Sequence, residues 1–418
     1  MMRLVTGLAL STGMMIGMFT APESVASAEA GSMAPFQEQL LELAYSGVSA
    51  MPLHPHIKNR SRAQLKTAQA CLKLNSPEMA ERFVVDIQNW QRWMGYADIA
   101  AYYAERGMKK EAESFLAKVF PALEMSEKIR SGSVALSTDN PLIDTLVDHR
   151  YQAVLTRTEE VLRMNRESTE SMALDLRYGE VNAASLNAEA IVTDAVDTED
   201  AIQRLKPLTT HQNFEIAYFG FHALVHAVDL HYDALNLNRI LNEEIKPALT
   251  RVPVFMKIDL YMEFAGIAVK HNDIDAVASV LAELELMIES LKSGPRYYVT
   301  EAARVLQLMI QVGQEEKVSE EVDLLLAYYR ENRGRIVNME RAARLCAVAE
   351  VYAKLGRTEK ALELYLDAIS EGTLNPNSRP QAEDLNRICC SLALNHIEPT
   401  DQLWERLKEM RNGLGTPW

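Results

Sequence analysis

"AEVYAKLGRTEKALELYLDAI", residues 349–369, places a Gly four residues after a Tyr and an Ala five residues after that Gly, amid helix formers. Apolar residues fall at 348, 352 and 355, then at 361, 362, 364, 365 and 369. That is the three-to-four spacing of a helix face. Gly356 interrupts it, and Gly readily takes the left-handed conformation that ends a helix. Thr358 then stands as a candidate cap for a second helix, with acidic Glu359 in its first turn. The stretch predicts helix, tight turn, helix. Ala361 is small because the second helix crosses the first closely there, and Tyr352 and Tyr365 fill the space around the crossing.

The pattern recurs. "DIAAYYAERGMKKEAESFLAKV" (98–119) sets Ile99, Ala100, Tyr103, Gly107, Ala112 and Leu116 at the same offsets. "AQACLKLNSPEMAERFVVDI" (68–87) does so with Ala68, Cys71, Asn75, Ala80 and Val84; Asn is the next best residue after Gly for such a turn. "VLQLMIQVGQEEKVSEEV" (305–322) keeps Gly313 but has Val318 where Ala is expected. "FAGIAVKHNDIDAVASVLAEL" (264–284) keeps Ala276 and places His271 in the turn.

These offsets resemble the tetratricopeptide repeat family, whose helix-turn-helix unit sets small residues at the crossing and large ones around it. Leu345, Val348, Ala349, Tyr352, Gly356, Ala361, Tyr365 and Ala368 stand at its signature positions. Leu345 replaces the family's leading Trp and Thr373 its late Pro. Gly313 and Gly356 are 43 residues apart, longer than the family's ~34-residue unit. The expected fold is all-α, a right-handed superhelix of tandem antiparallel helix pairs, in which each hairpin buries its apolar face against its neighbours.

Along the chain, residues 34–46 read as one helix and "SAMPLHPHIKNRSR" after it as a linker broken by Pro52 and Pro55. Hairpins fill 61–129, and the turn-rich "RSGSVALSTDNP" at 130–141 reads as a loop and a candidate division, with one continuous superhelix as the simplest account. Divergent helices follow to about 253: 142–164, 169–195, 199–206, 213–230 and 233–246, with Pro121, Pro207 and Pro247 each expected to follow a helix as a stop. Hairpins resume at 254, and Thr400 is expected to cap a final helix ending near Gly413.

The first 28 residues read as an export signal: Arg3, an apolar run from Leu4 to Ala21, then Ala26-Ser27-Ala28 with the small-x-small form of a cleavage site. No Cys precedes Cys71, so no lipid-modified cysteine is expected at the mature N-terminus, and the expected location is periplasmic or extracellular. Net charge is −15 and hydrophobic residues make up 48%. An acidic chain is repelled by phosphate backbones and anionic lipid heads, which argues against nucleic-acid binding as a main role. No run after the signal is long and apolar enough to span a bilayer, so stable membrane insertion is not expected. The four cysteines are too sparse for a disulfide framework, and no CxxC signals redox or zinc chemistry.

Candidate chemistry is thin. His222 and His226 share a helix face but lack the Glu of HExxH and a third ligand, so two half-buried histidines are the better reading and no metal or cofactor is expected. His54 and His56 lie beside Pro52 and Pro55, where a linker is a better reading than a metal site. Cys346 and Cys389 occupy equivalent places in successive repeats; helix axes ~8–10 Å apart seldom suit a disulfide. Arg330, Arg333, Arg335, Arg341 and Arg344 cluster locally, interleaved with Glu331 and Glu340 as on a solvated surface. GxGxxG, GxxxxGK and GxSxG are absent.

The resemblance implies a non-enzymatic scaffold that binds protein or peptide partners on the concave row of inner helices. Carried over position by position, that groove presents Arg62, Gln69, Lys73, Tyr261, Gln307, Gln311, Glu350 and Lys354. Tyr261 is the expected anchor, and Glu350 and Lys354 can also pair along their helix. The basic residues look scattered, so a carboxylate-gripping groove is not expected. Two alternatives come from other classes: an exported all-α enzyme, which needs converging acids in a deep cavity, and a glycan-binding protein, which needs aromatics aligned on one face.

Overall fold

The computed structural model describes residues 33–130, 188 and 190–418. The export segment, the loop from 131 onward and the helices expected at 142–164 and over most of 169–195 lie outside the described residues. No strand occurs among the described residues. The helices are α1 (Pro35–Ser49), α2 (Leu53–Lys73), α3 (Pro77–Val85), α4 (Gln91–Glu105) and α5 (Lys109–Arg130), then α6 (Thr198–Thr209), α7 (Phe214–Leu230) and α8 (Ala234–Arg239). A π-helical turn at Ile240–Ile245 extends α8. Then follow α9 (Val254–Lys270), α10 (Ile274–Ser290), α11 (Pro295–Gln311), α12 (Glu315–Asn332), α13 (Asn338–Lys354), α14 (Thr358–Thr373), α15 (Ser378–Leu394) and α16 (Asp401–Asn412).

The opening stretch folds as its spacing requires, with one correction. Gly356 has φ +71°, the Gly356 N–H bonds the Ala353 carbonyl, and the Arg357 N–H reaches back to the Tyr352 carbonyl. This paired closure satisfies carbonyls that the helix end would leave open. The same closure recurs at Asn75, Gly107, Gly313, Asn272 and His396, all with positive φ. At the α9–α10 turn the left-handed residue is therefore Asn272 and not His271, because an Asn side chain tolerates that conformation better. Ala361, Tyr352 and Tyr365 are fully buried. Tyr352 donates to Asp323 Oδ1 at 2.5 Å, and the Tyr365 hydroxyl lies 2.7 Å from Ser391 Oγ. Thr358 caps nothing: it is already the first helical residue, after Arg357. Thr400 does cap α16, accepting from the Leu403 N–H.

Prolines stop less than expected. α5 continues through Pro121 and α6 runs two residues past Pro207. One lost N–H bond does not end a helix whose neighbours hold it in place. The stretch around Pro52 and Pro55 is mostly helix. Within α2 only His54 is extended (φ −108°, ψ 124°), and Pro55, with its fixed φ, opens the regular part of the helix.

Hairpins α2/α3, α4/α5, α9/α10, α11/α12 and α13/α14 pack as antiparallel pairs, and their first helices lie side by side. The neighbour order of that inner row is α7, α9, α11, α13, α15, α2, α4. The row thus runs from α15, the last helix but one, directly onto α2. The partner of α15 is α1, from the other end of the chain, in the place a following helix would take; α16 packs over α14, α15 and α1. Leu40, Leu41 and Ala44 of α1 are fully buried. Gly47 lets α1 approach so closely that a Cβ there would meet Leu385 Cδ2 at 2.7 Å.

Candidate anion-binding cavity at the joint

The joint between α2 and α15 is held by polar bonds as well as by packing. Asn386 Nδ2 donates to Thr67 Oγ1 at 2.6 Å, and Asn59 Nδ2 donates to Glu383 Oε1 at 2.9 Å. Gln37 of α1 donates to the Ala393 carbonyl at 2.8 Å and lies 3.1 Å from His396 Nδ1. Arg411 Nε donates to Ser46 Oγ at 3.0 Å.

Directly on this joint lies a cavity of about 490 Å³, walled by α2, α15 and the end of α13. Helical spacing builds both walls. Arg62, Lys66, Gln69 and Lys73 are four, three and four residues apart and share one face of α2; Arg379, Glu383, Arg387 and Cys390 share one face of α15. Five cations line the space, against the carboxylates Glu350 and Glu383. Glu383 is committed to Arg379 at 3.1 Å and to Asn59. Glu350 accepts from Ser391 Oγ at 2.7 Å and from Gln307 Nε2 at 3.3 Å. Among the described residues, Arg62, Lys66, Lys73 and Arg387 have no hydrogen-bond or ion-pair partner. Burial, with Arg387 and Arg62 beside it, pulls the Lys66 ammonium below its usual range. Burial pushes the Cys390 thiol up to about 12, so it adds no charge. No lining residue is aromatic.

Four of the eight expected groove residues meet here: Arg62, Gln69, Lys73 and Glu350. Gln69 is spent on Asp98 at 2.9 Å. Gln307 touches the site only through Glu350. Gln311 and Lys354 are exposed and lie outside the cavity, and Glu350 bonds Ser391 and Gln307 instead of Lys354. Tyr261 is a correction: it is 3% exposed, in register with Ile258, Phe264, Ala265 and Ala268 on the buried face of α9. The polar face of α9 instead carries Asp259, paired with Arg304 at 2.8 Å, and Glu263, 2.9 Å from His222 Nδ1. Lys66, Arg379 and Arg387 escaped the sequence reading. The period of Arg62, Lys66, Gln69 and Lys73 was a visible signal, but the facing wall lies more than 300 residues away.

Other candidates are accounted for by internal bonds. Arg333 forks onto Glu371, with Nη2 at 2.9 Å, and Arg341 lies 3.8 Å from the same carboxylate. Arg330 pairs with Glu363, Arg335 donates to the Ser293 carbonyl, and Arg344 donates to the Arg296 carbonyl. These arginines tie successive hairpins together. All four cysteines are free. No group of three metal-binding side chains occurs among the described residues. No described helix is long and apolar enough to cross a membrane. A second depression of about 520 Å³ at α10–α12 has an apolar floor, Val305, Leu306, Met309 and Leu325, and its cations Lys292 and Lys317 pair with Glu289 and Glu285.

The fold and site define a helical-hairpin repeat array with a cation-rich cavity on its inner row. No family model, curated protein or solved structure matches the chain.

Proposed function

We propose that this chain is an exported, non-enzymatic scaffold of tetratricopeptide-like build that docks an acidic segment of a protein partner in the α2/α15 cavity. One observation carries the reading: four unpaired cations converge in a chain whose net charge is −15. Unpaired cations crowded together are costly unless a counter-charge arrives, and elsewhere the acidic surface repels such a partner. Arg62 and Arg387 offer planar forks suited to carboxylates, with Lys66 and Lys73 as point charges. The volume is that of an ordinary ligand site and suits a few side chains of a docked segment. The lining lacks both a converging pair of free acids and any aromatic ring, which favours docking over the enzyme and glycan readings. The recurring left-handed turns support the tetratricopeptide-like part, and the Arg3 to Ala28 pattern supports export.

The test is fluorescence anisotropy of a labelled hexaglutamate peptide with the purified protein. Binding is expected to weaken steeply with salt. Arg62→Gln and Arg387→Gln are each expected to weaken it at least about tenfold, as loss of a charged hot-spot contact does. Gln311→Ala and Lys354→Gln are expected to leave it unchanged. Equal affinity across all four variants refutes the site.

A further inference from the structure

The cavity has an unusual address. One wall, α2, belongs to the N-terminal hairpins and the other, α15, to the C-terminal ones, and no nearby chain segment joins them. We infer that an acidic segment bound here staples the two ends of the chain together, so that docking and closure of the α1–α2/α15 joint are one coupled equilibrium. The inference rests on the docking reading and adds its regulation.

In the free protein Lys66 and Arg62 on α2 face Arg387 on α15; Glu383, already tied to Arg379 and Asn59, offsets only part of their repulsion, so the remaining like charge pushes the two walls apart. The apolar contacts of Leu40, Leu41 and Ala44 and the bonds of Gln37, Asn59 and Asn386 oppose that push. A carboxylate between the walls converts repulsion into attraction on both sides. Opening the joint separates Arg387 from Arg62 and Lys66 and abolishes the site. A ligand that binds only the closed form therefore lowers the open population by the factor 1 + [L]/Kd.

Amide hydrogen exchange of the purified protein, with and without hexaglutamate, reads this directly. At a peptide concentration one hundred times Kd, α1 amides that exchange by joint opening are expected to slow by up to about one-hundredfold. Amides of α9, far along the row, are expected to keep their rates. Lys66→Gln gives a second, signed readout: it is expected to weaken peptide binding yet slow α1 exchange in the free protein at least about twofold, because it removes a repelling charge. Peptide binding that needs Arg62 and Arg387 but leaves α1 exchange unchanged overturns the coupling and spares the docking reading. Absence of peptide binding overturns both. Faster α1 exchange in free Lys66→Gln shows that Lys66 holds the joint shut and overturns the electrostatic argument.

Discussion

Asp384→Asn isolates a single ionisation that the fold has displaced. Asp384 sits on α15, 3% exposed, and its Oδ2 has no hydrogen-bond partner among the described residues. Burial pushes its carboxyl up to about 7 from an ordinary 3.8; Glu383 pushes the same way, while Arg387 and Arg344 pull down without prevailing. Between those values the folded protein holds a proton that the unfolded chain has released. Its contribution to stability is therefore full below pH 4, falls as pH rises towards 7, and stops changing once the folded group also ionises. At about 1.4 kcal/mol per pH unit the loss reaches roughly 4 kcal/mol by pH 7. Asn cannot ionise and nearly preserves the shape. Urea denaturation of both proteins from pH 5 to 8.5 gives two curves whose difference cancels the other acids. That difference is expected to rise in favour of the variant up to about pH 7 and then level off. A flat difference refutes the reasoning and means that Asp384 is ionised throughout or reaches water.

Ala361→Leu is expected to overpack the α13/α14 crossing and cost about 1–3 kcal/mol, because Ala361 is fully buried there; thermal unfolding checks it. Gly47→Val drives a Cβ to 2.7 Å from Leu385 Cδ2 across the joint and is expected to raise α1 hydrogen exchange and weaken hexaglutamate binding, although Gly47 does not line the cavity. N-terminal sequencing of exported material is expected to begin near Glu29; a full-length N-terminus would refute export by cleavage.

What the sequence made legible was local. A left-handed turn needs Gly or Asn at one position, and a close crossing needs one small residue, so Gly107, Gly313, Gly356 and Ala361 could be read within a few turns of chain. His396 shows the limit: it adopts φ +54° with Gln37 from the far end of the chain lodged beside its ring. Tyr261 failed by register, since a carried-over position that slips by one or two residues swaps the groove face for the core face. The cavity was hidden for a stronger reason. Each of its walls, read alone, is an ordinary solvated face of an amphipathic helix. Only the pairing of α1 and α2 with α15 makes them one site, and nothing local to residues 62–73 or 379–390 encodes that pairing.

The place of the joint in the chain also fixes its rank among the contacts of the array. Hairpin partners such as α13 and α14 are joined by a turn of a few residues, whereas α1 and α15 are separated by more than 300. Loop-closure entropy grows by only about 0.6 kcal/mol per doubling of length, so bringing α1 to α15 costs roughly 3–4 kcal/mol more than closing a neighbouring hairpin. Burial of Leu40, Leu41, Val48 and Met51, at about 1.5–3 kcal/mol each, exceeds that difference. The unpaired cations of the cavity then subtract from the margin. Contacts inside a continuous stretch of repeats carry neither burden. The α1–α2/α15 joint thus carries a closure cost that hairpin contacts do not, and a counter-charge bound there acts directly on contacts between the two ends of the chain.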